Sequence, residues 1–437
     1  MSRQIVVGSV LCTCVGAVAA EDRPAIILTG GRVLDPSGER LLDGQELLIV
    51  GERIAKIGPA GQISAPPNAI KLDAKGLVIL PGLMDLHTHL LLHPYDEAEW
   101  DDQVLRESLE FRTIRGTVAA RATLQAGFTT IRDLGTEGAG FADVALRDAI
   151  KQGLIPGPRI VAVTRAIVAT GCYGPEGFDP RWDVPKGAQV ADGVDGVRRA
   201  VREQIAAGAD WVKFYADYRR RPGDRATPTF SQEEINALVD EARSAGLPAV
   251  AHATVDEAIR RAVLAGVATI EHGYDVSEEV LTLMRERGVA LCPTLAASEA
   301  MARYAGWTPD KPDHPRIARM RAMFRRALKS GVTIACGSDV GVFAHGDNAR
   351  EIELMVELGM TPVEAIRAAT STAARVLGRA DDLGRIQEGY IADLIVVDGN
   401  PLENIAALRK PVVVVKEGVI VLEGQGCGSR IYKEGLP

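Results

Sequence analysis

One pattern recurs through the middle of this 437-residue chain. A helix-like segment ends in glycine, and an apolar strand-like run follows almost at once. Ala126-Gly127 leads into residues 128–131, Ala207-Gly208 into 211–214, and Ala245-Gly246 into 249–252. Ala265-Gly266, Arg287-Gly288 and Ser330-Gly331 lead in the same way into 268–271, 290–292 and 333–336. Glycine tolerates the left-handed turn that ends a helix. These junctions, with further strands near Val78 and Arg159, predict about eight βα units across residues 78–379. That repeat points to an α/β fold of the (β/α)8 TIM-barrel type. An open doubly wound sheet is the alternative, but no GxGxxG follows the first strand.

The chain ends read differently. Residues 26–29, 31–34, 46–50 and 53–57 are short apolar runs bounded by Gly, Pro or Asp, and residues 392–397 and 412–415 resemble them. This predicts a small β-sandwich domain built from both ends, 25–77 and 380–437, around the barrel at 78–379. The first 20 residues read as an export signal: Arg3 is their only charge, residues 5–18 are apolar, and Ala17-Val18-Ala19 or Val18-Ala19-Ala20 suits cleavage. A periplasmic or secreted location is expected. The apolar run is short for a bilayer, so no stable membrane insertion is expected after cleavage.

The net charge of −8 and the 5% aromatic content argue against nucleic acid as a partner. Cys172, Cys292, Cys336 and Cys427 form no CxxC pair, so no zinc-ribbon or redox motif is indicated. Cys292 and Cys336 lie in apolar runs and read as packed thiols.

The seven histidines carry most of the functional information. His87-Thr88-His89 closes the apolar run 77–86. A strand has a side-chain period of two, so both imidazoles share a face and suit a divalent metal. His252, His272 and Asp339 close three other strand-like runs. Strand C-termini of a (β/α)8 barrel converge on one mouth, so these groups should meet there. Lys213 sits in the apolar run Trp211-Val212-Lys213-Phe214-Tyr215. Burial lowers a lysine pKa, and a neutral amine can take up carbon dioxide to give an anionic carbamate able to bridge two cations. A Schiff-base lysine is the rival, though it needs no surrounding histidines.

This set resembles the amidohydrolase superfamily, as does the C-terminal run 384–397, Gly-Arg-Ile-Gln-Glu-Gly-Tyr-Ile-Ala-Asp-Leu-Ile-Val-Val. The resemblance implies a hydrolase with two divalent metal ions, usually zinc. His87, His89 and Asp339 would bind the more buried ion and His252 and His272 the more exposed one, with carboxylated Lys213 bridging. Asp339 would serve as general base and then general acid. Deaminases of the superfamily carry a glutamate three residues after the fifth-strand histidine, where this chain has Val255. The stretches 80–89, 270–273, 337–341 and 345–348 resemble the prolidase-like, imidazolonepropionase-related branch and its ochratoxin-hydrolysing members. That implies cleavage of an amide in a dipeptide-like or N-acyl amino acid substrate, carboxypeptidase fashion. A cyclic amide or lactone hydrolase is the alternative on the same site, and a non-catalytic scaffold is disfavoured by the filled ligand positions. Relatives of this branch often form homo-oligomers, up to octamers.

Tyr215 shares a strand face with Lys213, and His345 follows Asp339 closely, so both are candidate substrate contacts. His93 and His314 have no strand-end position and are assigned to solvent. The arginine runs 219–221 and 325–326 read as solvated faces. The Gly-, Pro- and Asp-rich loop 165–190 reads either as a substrate wall or as a solvated insertion.

Overall fold

The structure is a computed structural model that describes residues 23–423 apart from 180 and 222. The expected export signal and Cys427 lie outside the described residues.

Strand Leu77–Pro81 runs between Ile26–Leu34, to which it is parallel, and Leu394–Asp398, to which it is antiparallel. Pro411–Lys416 and Val419–Glu423 extend the sheet on one side, and Leu41–Val50 and Arg53–Pro59 on the other. Ile70–Asp73 pairs with Ile26–Leu34. The two chain ends thus share one eight-stranded sheet. Its side chains alternate. Val78, Leu80, Ile395, Val397 and Val414 enter the large core shared with the helices of the central segment. Ile79, Leu394, Val396, Val413 and Val415 enter a second core with Ile26, Leu47 and Ile54. The layer expected as a sandwich is therefore one hydrogen-bonded sheet with apolar residues buried on both faces.

The apolar run 77–86 is two strands rather than one. Gly82 separates them, packed so closely that a Cβ there would collide with Thr129. The first strand of the central repeat is consequently Leu83–Thr88, and Val78 belongs to the end sheet.

The repeated strands of the central segment are parallel, and only the short pair Asp217–Tyr218 and Thr227–Pro228 among its described strands is antiparallel. Leu83–Thr88, Phe128–Asp133 and Arg159–Ala162 form one sheet. Ile167–Val168, Val212–Tyr215, Ala249–Ala253, Thr269–His272 and Ala290–Cys292 form another, in that spatial order. Residues 333–340 connect the last strand to the first: the Ala335 amide donates to Leu291 at 3.0 Å, and the Leu86 amide to Cys336 at 2.8 Å. All six glycines at the helix–strand junctions have φ between 69° and 96°, the left-handed turn their positions in the sequence predicted. Cys292 and Cys336 are buried free thiols. No described helix is long and apolar enough to cross a membrane.

Candidate functional site

Parallel strands bring their C-terminal ends to one side of a sheet, and this register decides where the polar residues meet. His87 lies within Leu83–Thr88 and His89 follows it. His252 lies near the end of Ala249–Ala253, paired with Tyr215 on one side and Glu271 on the other. His272 ends Thr269–His272. Asp339 donates its amide to the His87 carbonyl at 2.7 Å, which fixes it beside the first strand. His272 and Asp339 have φ of 73° and 61°. Left-handed backbone at a non-glycine residue costs on the order of 1–3 kcal/mol, so the surrounding structure holds both carbonyls and side chains in place against that cost.

The imidazoles form a continuous cluster. Ring centroids of His87 lie 5.3 Å from His89 and 5.1 Å from His272, and those of His252 and His272 are 4.5 Å apart. Asp339 Oδ1 lies 3.2 Å from His89 Nε2 and 3.5 Å from His87 Nε2. One ligand atom each from His87, His272 and Asp339 falls within a 4.8 Å span. Lys213 lies behind this cluster, 1% exposed, with its ammonium 5.6 Å from the Tyr215 ring centroid.

Burial sets the charge states. It pushes Lys213 down to about 8, so much of its amine is neutral in mildly alkaline solution. It pushes His87 down to about 4 and holds His252 and His272 well below the ordinary imidazole value. Burial opposes the charge on Asp339 as well, yet His87 and His89 hold its carboxyl below the usual range. His89 is the exception: burial would lower it, but its hydrogen bond to Asp339 and the nearby charges of Glu137 and Asp339 raise it to about 9, so a metal would have to displace its proton. Neutral His87, His252 and His272 and ionised Asp339 are already in metal-binding states.

The supporting residues are ones the sequence reading did not single out. Glu271 Oε2 accepts from His87 Nδ1 at 2.8 Å, which leaves Nε2 facing Asp339. Glu271 is itself held by Arg132 at 2.9 Å and by the Thr269 hydroxyl at 2.5 Å. Arg132 and His87 together keep its carboxyl down at about 2 despite burial. The His89 Nδ1 is held by the Gly135 carbonyl at 3.0 Å and the His272 Nδ1 by Thr294 Oγ1 at 2.8 Å. Buried Asp85 accepts from the amides of His87 and Ser338 and from Asn348 Nδ2, and so locks the Asp339 segment to the first strand. Only a charged residue inside an apolar strand, as Glu271 is, could have flagged this layer from sequence. Partners that orient a ligating histidine typically carry 10- to 100-fold in metal affinity or activity. Glu271→Gln is expected to lose about that much, read as kcat/KM together with bound metal per chain, and an unchanged metal titration would exclude the orienting role.

Above the cluster is a cavity of about 190 Å³. His87, His89, His252, His272 and Asp339 line it, with Tyr95, Tyr173, Tyr215, Tyr218 and Tyr274 as an aromatic wall and Arg316 as the only arginine or lysine among the described residues of its lining. Tyr215 stacks on His252 at 4.3 Å and 17°.

Residues 78–421 match the amidohydrolase family. The chain belongs to the amidohydrolase family. It is accordingly a hydrolase acting on amide bonds, in a family that is generally metal-dependent. Ochratoxinase of Aspergillus niger is 31% identical over 443 residues, covering 94% of this chain and 89% of that one. The structure of a Xaa-Pro dipeptidase with bound methionine in its active site superposes with a TM-score of 0.82 at 33% identity, covering 92% of this chain and all of that one. A prolidase complexed with N-methylphosphonate-L-proline gives 0.80 and 34% over the same 92% of this amidohydrolase and its own whole chain.

Of the expected substrate contacts, Tyr215 lines the cavity and His345 does not. The His345 Nε2 faces the Leu92 carbonyl at 3.0 Å, because the loop after Asp339 folds back over the first strand. His93 is not in solvent: it is 6% exposed, with Nε2 against Glu107 at 2.8 Å and its backbone tied to Gln103. It anchors the first loop of this amidohydrolase to helix Trp100–Arg106. His314 is half-buried and caps helix Pro315–Ser330. Loop 165–190 is a wall in part: Tyr173 projects from it into the cavity and stacks 4.4 Å from Tyr215. Arg219, Arg220 and Arg221 are exposed, as expected.

Proposed function

We propose that this amidohydrolase uses two divalent metal ions, zinc by the resemblance, to release the C-terminal residue of peptide-like or N-acyl amino acid substrates. The reading includes ochratoxin A, which would yield ochratoxin alpha and phenylalanine. The site would stand on a closed (β/α)8 barrel. What supports it most is the donor set: four imidazoles and one carboxylate converging on one cavity, with a buried lysine behind them. These are nitrogen and oxygen donors suited to zinc-type ions. His87, His89 and Asp339 would hold one ion, His252 and His272 the other, and Lys213 as a carbamate would join them. The similarity to ochratoxinase and to a methionine-bound Xaa-Pro dipeptidase supports the substrate class.

When bound, such ions would supply an acidified water and polarise the amide carbonyl. The residues of the chain do the rest. Asp339, held as a carboxylate, takes the proton of the attacking water on an oxygen and passes it to the departing amine nitrogen. Glu271 and Thr294 fix the tautomers of His87 and His272, so their free nitrogens need no reorganisation during the reaction. Burial holds the Tyr215 phenol well above its ordinary pKa, so its hydroxyl remains a hydrogen-bond donor to the substrate.

The test is turnover of a panel: N-acyl amino acids, Xaa-Pro and other dipeptides, ochratoxin A and a lactone, with the zinc-loaded protein. The expected result is release of a free amino acid that stops on chelation and returns with zinc. Turnover of the lactone alone would place the protein with the cyclic-ester hydrolases, and turnover that survives full chelation would exclude the metal reading.

A further inference from the structure

We propose that Arg316 binds the free carboxylate of the substrate and thereby makes an unblocked C-terminus a requirement for tight binding. The inference builds on the amide-hydrolase reading and names a specificity residue for it.

A cavity that receives an anionic substrate end needs an available cation or a set of oriented donors. Among the described residues that line the cavity Arg316 is the one arginine or lysine. Its neighbours around this mouth are already engaged. Arg319 Nε donates to Asp275 at 2.5 Å, and Arg219 Nη2 lies 2.8 Å from Glu176. Arg112 is buried and spends its donors on the Leu91 and Glu137 carbonyls. By contrast, no carboxylate among the described residues lies within 4.0 Å of the Arg316 guanidinium. It is exposed, so it meets incoming solute without first breaking an ion pair.

The local fold aims it. His314 accepts the Arg316 amide at 3.2 Å, and Pro315 opens helix Pro315–Ser330. Ile317, Met320, Met323 and Phe324 bury the opposite side of that helix in the large core. The first turn is therefore fixed, and Arg316 projects over the cavity. Tyr274 lines the same cavity, with its ring 5.6 Å from His272 and its hydroxyl accepting from Ser298 at 2.8 Å. A substrate lying along this wall would place its amide at the histidines and its C-terminus at Arg316. The planar guanidinium fork matches a carboxylate with two parallel hydrogen bonds, which an ammonium cannot do.

Binding, read by calorimetry, tests this independently of turnover. The probes are the N-methylphosphonate derivatives of L-methionine, L-phenylalanine and L-proline, which offer no acyl amide to cleave, each against its C-terminal amide. The wild-type protein should prefer each acid that it binds. Arg316→Gln should weaken acids by about tenfold, because the pair remains partly screened by solvent, and leave the amides within about twofold. Arg316→Lys should recover part of the loss. Equal weakening of acids and amides, no weakening, or a wild-type protein without preference for the acids would each overturn the proposal. If Arg316 discriminates in binding but no substrate is cleaved, the carboxylate site stands and the amide-hydrolase reading falls. Cleavage without discrimination has the opposite meaning.

Discussion

Replacing Lys213 with alanine is expected to lower kcat by about a thousandfold or more and to lower bound metal per chain. The fold should survive, because Lys213 is held in Val212–Tyr215 by backbone pairing to Ala249–Ala253, and alanine leaves no unpaired charge behind. On the proposed two-metal reading, what would disappear is the group that as a carbamate would join the two ions. A removed bridging carboxylate can be replaced from solution, so acetate or propionate should restore a few per cent of activity. The amine must be neutral to react with carbon dioxide, and burial brings its pKa down to about 8. Reconstitution of stripped protein with metal and bicarbonate should therefore speed up as pH rises through about 8. Full activity and full metal in Lys213→Ala would remove the bridging role altogether.

The second large effect is expected at Asp339. Asn is the informative replacement, since it tolerates left-handed backbone better than most residues and should accept the φ of 61°. It also keeps the size and one oxygen of the side chain near His87 and His89. It cannot take a proton from water and return it to an amine. General acid–base catalysis typically contributes about 10²- to 10⁴-fold, so kcat, compared at equal bound metal per chain because Asp339 would also be a metal ligand, should fall by roughly a thousandfold while KM and Tm stay close to wild type. Alanine would confound the measurement, because the strained backbone would relax as well. An Asn variant retaining more than about a tenth of kcat would show that the proton travels by another route.

Much of this architecture is legible in the amino-acid sequence. The six junction glycines marked their helix ends because a left-handed residue is a local requirement with a local solution. His87, His89, His252, His272 and Asp339 stood at strand ends, and parallel βα repeats deliver strand ends to one place. The pairing of the two chain ends was visible as matching apolar runs, now one sheet through Leu77–Pro81 and Leu394–Asp398. Where the reading failed, the cause was a property of chain path. The run 77–86 is uniformly apolar, so its period gave no sign that it changes sheets at Gly82. His93 and His345 lie in loops, and whether a loop histidine meets solvent, Glu107 or the Leu92 carbonyl depends on where the loop folds back.

The sequence by itself determined the repeat, the strand ends and the metal-type donor set, because hydrophobic period and glycine placement act over a few residues. The tertiary structure alone decided which groups hold those donors and which meet the substrate. Glu271 reaches His87 across 184 positions of sequence and Arg132 reaches Glu271 across 139. Tyr173 from a long loop and Arg316 from a helix start share one cavity wall. Such contacts are made between side chains with no common local pattern, and their energies are available only once packing has brought them together.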